Sequence, residues 1–195
     1  TLGRKLEEIP KSKDGAIRMY NCGPTVYSNP HIGNLRAFVT WDVLARALRY
    51  LGEDLKRVMN ITDVGHMVTD EDFGEDKMEV GAKREGIQPI DVANKYIKVF
   101  LNDMRLMNIQ FPDGSYVTED FNLEDLNKVN VTRATEYIKE MVELIKRMEE
   151  NGFTYQTDQA VYFDISKYDE NTKLSGQNLE ENTVGARDEG KVDGD

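Results

Sequence analysis

Residues 16 to 62 carry the pattern that most constrains the fold. "AIRMYN", 16 to 21, follows the turn-like "KSKDG" and alternates roughly apolar and polar, which predicts a short strand running into Cys22. From Asn34 to Leu51 the apolar residues Leu35, Phe38, Val39, Leu44, Leu48 and Leu51 recur at three- and four-residue steps, and Gly52 follows as a stop. That spacing predicts an amphipathic helix. "LKRVMNIT", 55 to 62, reads as a second strand. A strand, helix, strand unit of this kind builds a parallel sheet, so the expected class is α/β. The loop after the first strand then lies at the carboxyl edge of that sheet, where open α/β folds bind ligands.

Beyond this unit the pattern turns helical over 75 to 85 and 90 to 107, the latter with Ile90, Ala93, Ile97, Phe100, Leu101 and Met104 along one face. A further helix fits 132 to 150, with Thr132 as its cap, a stripe of Ile138, Met141, Val142, Ile145 and Met148, and Asn151-Gly152 as its end. "FTYQTDQAVYFDI", 153 to 165, predicts a hairpin. From 169 onward the chain is too polar to assign. The expected division is 1–107, the strand-helix-strand unit with its subsequent helices, and 108–195, a helical segment, the hairpin and the polar stretch after it.

Composition narrows the functional classes. At 195 residues with 39% apolar content the chain can fill a core. Its 36 acidic against 25 basic side chains give a net charge of −11, a field that repels phosphate backbones and argues against broad nucleic-acid binding outside a local basic groove. No run of about 18 apolar residues and no basic-then-apolar leader is found, so the expectation is a cytoplasmic chain with no membrane contact. One cysteine makes no internal disulfide, which agrees with a reducing compartment. The start at Thr1 and the polar ending "GARDEGKVDGD" suggest a fragment of a longer chain.

The chemistry concentrates in "NCGPTVYSNPHIGN", 21 to 34. A helix N-terminus offers unpaired N–H groups and partial positive charge, so an anion can settle there. His31 and Asn34 stand three residues apart at that end, and Gly33 leaves room for a flat ring to approach the backbone. Taken alone, the same residues also fit an ordinary loop and turn.

"MYNCGPTVYSNPHIGNLRAFVTWDVLARALRYLG", followed by "VMNITDVGH", resembles cysteinyl-tRNA synthetases over some fifty residues, and "KLSGQNLEENTVGAR", 173 to 187, resembles a second block of that family. The resemblance implies the first half of a class I synthetase Rossmann-like nucleotide-binding fold, plus a partly helical insertion. It also implies cysteine activation with ATP and Mg²⁺, then transfer of the cysteinyl group to tRNA(Cys). The His-Ile-Gly-His signature of class I enzymes reads His31-Ile32-Gly33-Asn34 here, with an amide that still donates but cannot become cationic. His31 and Asn34 are thereby expected as catalytic donors to the triphosphate, and His31, Gly33 and Asn34 as ATP-binding residues.

By the same resemblance Cys22 is expected to ligate Zn²⁺, with the substrate thiolate as a further ligand. Serine's hydroxyl is a much poorer ligand for that ion, which supplies selectivity without editing. The family takes its remaining ligands, a cysteine, a histidine and a glutamate, from much later in the chain. Gly23, Thr25 and Thr62 are expected to bind the substrate L-cysteine. Tyr27 stays open between that pocket and loop packing, and His66 between a local metal ligand and a loop histidine facing solvent or substrate. The acidic run "DEDFGED", 70 to 76, reads as a solvated turn.

The family's Lys-Met-Ser-Lys-Ser loop does not occur in this sequence, and "DKMEVGAK", 76 to 83, is not that motif. These 195 residues alone are therefore expected to be inactive. Two other readings stay open: a cysteine-activating ligase acting on an amino-sugar, as in the mycothiol pathway, and a non-catalytic nucleotide- or metal-binding module.

Overall fold

The first strand, β1, runs Ile17–Asn21, and the second, β2, Leu55–Ile61, lies parallel to it with Ile17 opposite Leu55 and Asn21 opposite Met59. Between them α1 spans Ile32–Tyr50. The computed structural model describes residues 6–65, 82–83, 86–158, 160–168, 173 and 176. The expected strand-helix-strand unit and parallel sheet are present. A third strand, β3, Val131–Arg133, joins β2 in parallel, so β2 is central in the order β1-β2-β3.

The helix starts earlier than its apolar spacing predicts, at Ile32 rather than Asn34, because His31 caps it. It turns Phe38, Asp42, Ala45 and Leu48 into the interior, with Leu35 and Val39 half-buried against the core. Leu44 and Leu51, expected on the same stripe, stay exposed. Leu44 falls on another arc of the helix, and Leu51 lies past the last helical residue as its C-cap. Gly52, at φ +83°, lets the chain reverse there, donating to the Arg49 carbonyl at 3.0 Å.

The second helix, α2, Pro89–Leu106, agrees with expectation apart from Ile90, which remains exposed. Its buried face (Val92, Ala93, Ile97, Phe100, Leu101, Met104) meets Val26, Phe38, Met59, Ile61 and Val131 in one apolar cluster. The Phe38 and Phe100 rings lie 4.8 Å apart between centroids, tilted by 58°. Burial of a side chain of this size is worth about 1.5–3 kcal/mol, so this cluster holds α1 and α2 on the sheet.

The helix expected over 132 to 150 is corrected at its start: 131–133 is β3, and the helix α3 begins only at Ile138 and ends at Glu150. Val131 is fully buried as a sheet residue, and Asp63 accepts from the Thr135 backbone N at 2.9 Å, which holds the segment out of α-helical pairing. The hairpin is present as β4, Thr154–Gln156, and β5, Val161–Phe163, paired antiparallel.

By contact density the chain divides into two compact units, Ile9–Glu136, which contains the sheet, α1 and α2, and a second made of Thr1–Glu8 with Tyr137–Asp195. The expected helix at 75–85 lies outside the described residues except for 82–83, which are helical. No helix among the described residues is long and apolar enough to cross a membrane.

Candidate active site

Where β1 ends, the chain is pinned from both sides. Asn21 is buried and accepts from Arg57 Nε at 2.7 Å, and its own Nδ2 donates to the Cys22 carbonyl at 3.3 Å. Arg57, on β2, is among the largest fully buried side chains, and its Nη1 has no hydrogen-bond partner among the described residues. Burial pushes its guanidinium pKa below the usual arginine value, against the pull of the Asp42 charge. Cys22 itself is exposed.

Gly23 then runs along β2 so closely that a Cβ there would stand 1.5 Å from the Asn60 carbonyl oxygen. Asn60 holds this stretch with its side chain as well, accepting from Gly23 N at 3.0 Å and from the Tyr20 hydroxyl at 2.8 Å, while its Nδ2 donates to Thr62 Oγ1 at 3.0 Å. Burial, and then Cys22, raise the Tyr20 pKa, so the phenol stays protonated at neutral pH. One turn of loop later, Thr25 and Thr62 form a parallel bridge, with Val26 N donating to Thr62 O at 3.2 Å and Thr62 N to Pro24 O at 3.0 Å.

The loop closes at the cap of α1. His31 Nδ1 accepts from Gly33 N at 3.1 Å and Asn34 N at 3.4 Å, and Asn34 Oδ1 accepts from His31 N at 3.1 Å. The histidine and the asparagine thus form a reciprocal capping box. Because Nδ1 is the acceptor, the neutral ring carries its proton on Nε2. A Cβ on Gly33 would meet His31 Cε1 and Nδ1 at 3.0 Å. The flat ring that Gly33 accommodates is therefore the imidazole of His31.

A cavity of about 380 Å³ is lined by residues 22–31 together with Asn34, Ala37, Phe38, Trp41, Tyr96 and Phe100. It brings together Cys22, Gly23, Thr25, Tyr27, His31 and Asn34 from the expected set. Thr62 and Gly33 are not on its wall; they support it from behind through Asn60 and His31. Sequence reasoning missed Tyr20, Asn60 and Trp41. The only signal for Asn60 was its place at the carboxyl end of the second strand, two residues before Thr62.

A second network ties the ends of β2 and β3. Asp63 is buried and accepts from Arg133 Nε at 2.8 Å and from the Thr135 hydroxyl at 2.7 Å, and Arg133 Nη1 donates to Asn94 Oδ1 at 2.9 Å. These bonds, with that from the Thr135 backbone N–H, tie Asp63 to the end of β3.

Among the described residues no group of three or more His, Cys, Asp or Glu side chains is placed to hold a metal ion. Cys22 is thus a single thiol, one ligand of the four that a tetrahedral zinc site takes, and the described residues do not by themselves fit the ion. His66, the acidic run 70–76 and most of the second block of resemblance, 173–187, lie outside the described residues.

The sequence matches the family described as "tRNA synthetases class I (C) catalytic domain" over residues 8–194. It is 45% identical to the cysteine–tRNA ligase of Treponema denticola over 96% of this chain and 35% of that protein. It is 37% identical to the cysteine–tRNA ligases of Deinococcus radiodurans and Pyrococcus horikoshii, over 96% of this chain and 34% of each of them. The chain spans about a third of the length of these curated relatives. Nothing in the matches favours an amino-sugar ligase or a non-catalytic module. With its parallel sheet and a His31-to-Asn34 cap facing a cavity at the sheet's carboxyl edge, the chain belongs to the family of class I (C) tRNA synthetase catalytic domains, that of the cysteine–tRNA ligases.

Proposed function

We propose that this chain supplies the cysteine- and ATP-binding half of a cysteine–tRNA ligase catalytic site. The observation that carries the reading is the capped N-terminus of α1, whose His31 and Asn34 line the same cavity as Cys22, Gly23 and Thr25. In the reaction, a carboxylate oxygen of cysteine bonds to the α-phosphorus of ATP as the bond from that phosphorus to the bridging oxygen breaks. The electron pair of that bond leaves with pyrophosphate. A hydroxyl oxygen of the terminal ribose of tRNA(Cys) then bonds to the cysteinyl carbonyl carbon as that carbon's bond to the adenylate oxygen breaks, AMP leaving with the electron pair and the hydroxyl proton being released.

His31 acts through Nε2. With Nδ1 accepting two N–H groups of the helix end, the imidazole draws on the positive terminus of α1, and its Nε2–H becomes the stronger donor to a phosphate oxygen. Asn34 spends its Oδ1 on the His31 backbone and keeps Nδ2 as a donor. Both donors are fixed before the substrate arrives, so they stabilise charge moving onto pyrophosphate without reorganisation. Mg²⁺ accompanies the ATP.

Gly23 and Thr25 shape the amino-acid end, with Thr62 bracing them through the bridge to Thr25. Cys22 is proposed as one thiolate ligand of Zn²⁺ in the full-length protein, the remaining ligands coming from beyond these 195 residues. The ligase acts in the cytoplasm, where tRNA is charged.

The test is exchange of labelled pyrophosphate into ATP by the protein at its full natural length. The reading predicts exchange that depends on cysteine and is not supported by serine. Exchange that ignores the amino acid, or its complete absence, contradicts it.

A further inference from the structure

We propose that Asn60 is the positioning residue of the cysteine end of the cavity, holding the Cys22–Thr25 rim in place; this rests on the reading of the cavity as a cysteine and ATP site. The side chain is half-buried at the carboxyl end of β2, and each of its polar atoms is committed. Oδ1 takes two donors, Gly23 N at 3.0 Å and the Tyr20 hydroxyl at 2.8 Å, and an amide nitrogen cannot replace it because a nitrogen would face donors with a donor. The amide is therefore fixed in one orientation, and Nδ2 must point to Thr62 Oγ1, 3.0 Å away. Thr62 accepts that bond, so its own O–H proton is turned elsewhere as a donor.

One side chain thus sets three things at once. It holds the backbone of Gly23, next to Cys22, against β2, where the carbonyl of Asn60 itself already excludes any Cβ. It anchors Tyr20, whose hydroxyl lies 3.9 Å from Cys22 Sγ. It orients Thr62, which bridges to Thr25 on the cavity side. All of these contacts are at the Cys22 end. His31 and Asn34, at the phosphate end, are held by their own capping box and have no bond to Asn60. The split predicts that loss of Asn60 damages one substrate and spares the other.

The variants are Asn60→Ala, which removes all three bonds, and Asn60→Asp, which keeps the shape and both acceptor contacts, replaces the donor to Thr62 by an acceptor and adds a negative charge. In the 195-residue chain, amide hydrogen exchange of Gly23 is expected to quicken about tenfold in Asn60→Ala, the equivalent of one lost hydrogen bond, and to stay slow in Asn60→Asp. In the full-length protein, Asn60→Ala is expected to raise the KM for cysteine by about tenfold or more while the KM for ATP changes by less than about twofold, with Asn60→Asp closer to wild type. Equal losses for both substrates, or unchanged cysteine KM with slow Gly23 exchange, overturn the proposal. A wild-type protein that shows no cysteine dependence at all overturns the reading of the cavity itself, and this proposal with it.

Discussion

His31 and Asn34 cap each other across the first turn of α1: the asparagine N–H donates to His31 Nδ1 at 3.4 Å, and the histidine N–H donates to Asn34 Oδ1 at 3.1 Å. The two residues proposed to face the triphosphate are therefore also the residues that begin the helix. Stability and catalysis meet in one pair of side chains, and substitutions can separate them.

Gly33→Ala is the first such case. Alanine inside a helix is favoured over glycine by about 1 kcal/mol. The new Cβ, however, meets the His31 ring at 3.0 Å, and displacing the ring forfeits a cap worth about 1 kcal/mol. The two effects oppose, so the denaturation midpoint should hardly move while adenylate formation slows. A full gain in stability with unchanged rate would show that the ring does not need the space over Gly33.

Gly23→Ala has no such compensation. Its Cβ would lie 1.5 Å from a backbone oxygen of β2, and a backbone cannot rotate out of the way as a side chain does. The loss should reach or exceed the upper end of the usual overpacking cost of about 1–3 kcal/mol. Urea denaturation of the 195-residue chain measures it, and a cost below about 1 kcal/mol would mean that Gly23 is not packed on Asn60.

Replacing Arg57 by methionine removes a charge that is costly to bury but leaves Asn21 Oδ1 without its partner at 2.7 Å. An orphaned buried acceptor costs about 1–3 kcal/mol, so Arg57→Met should destabilise by about that amount. Adding Asn21→Leu removes the orphan, and the double variant should be more stable than the sum of the single effects implies. Strict additivity in chemical denaturation would break the pairing.

The loop from Cys22 to the start of α1 was legible in the sequence because its structure is local: strand, loop, histidine and helix follow one another, and the cap is made within four residues. The parallel β1–β2 pair was legible for the same reason. β3 was not, because three residues beside a helical stripe carry too little periodicity, and what holds them in the sheet is Asp63, some seventy residues earlier. The burial of Arg57 and Asp42 had no sign in the sequence, because charged side chains ordinarily face water. Arg57 is kept inside by Asn21, distant in the chain, and Asp42 by Arg46 one turn on, at 2.7 Å, together with the distant Gln110 N–H at 3.0 Å. Asn60 was missed because an asparagine in a strand gives no sign of which groups its amide will meet.

Asp14 predicts a pH effect. Lys56 Nζ at 2.5 Å, followed by the Ser12 hydroxyl, holds its carboxyl well below the usual carboxylate range. A depressed folded pKa favours the charged form, so the contribution is complete above the unfolded value of about 3.9 and is lost as pH falls through the lower folded value. Asp14→Asn should thus lower stability at about pH 6 and make no difference in strong acid. The group is exposed, so the difference should be small and should shrink in high salt. Thermal melts of both proteins across that range check it, and a difference that persists in acid would contradict the assignment.

The central claim is that His31 serves the reaction through Nε2 and the fold through Nδ1. His31→Asn separates the two, because an asparagine Oδ1 stands where Nδ1 stood and is among the best N-cap acceptors, while no atom reaches the Nε2 position. The decisive measurement is single-turnover formation of cysteinyl-adenylate by the full-length His31→Asn protein, alongside its denaturation midpoint. The account predicts a midpoint close to wild type and a rate lower by about 100- to 1,000-fold, the cost of one preorganised donor. A wild-type rate in that variant would contradict it.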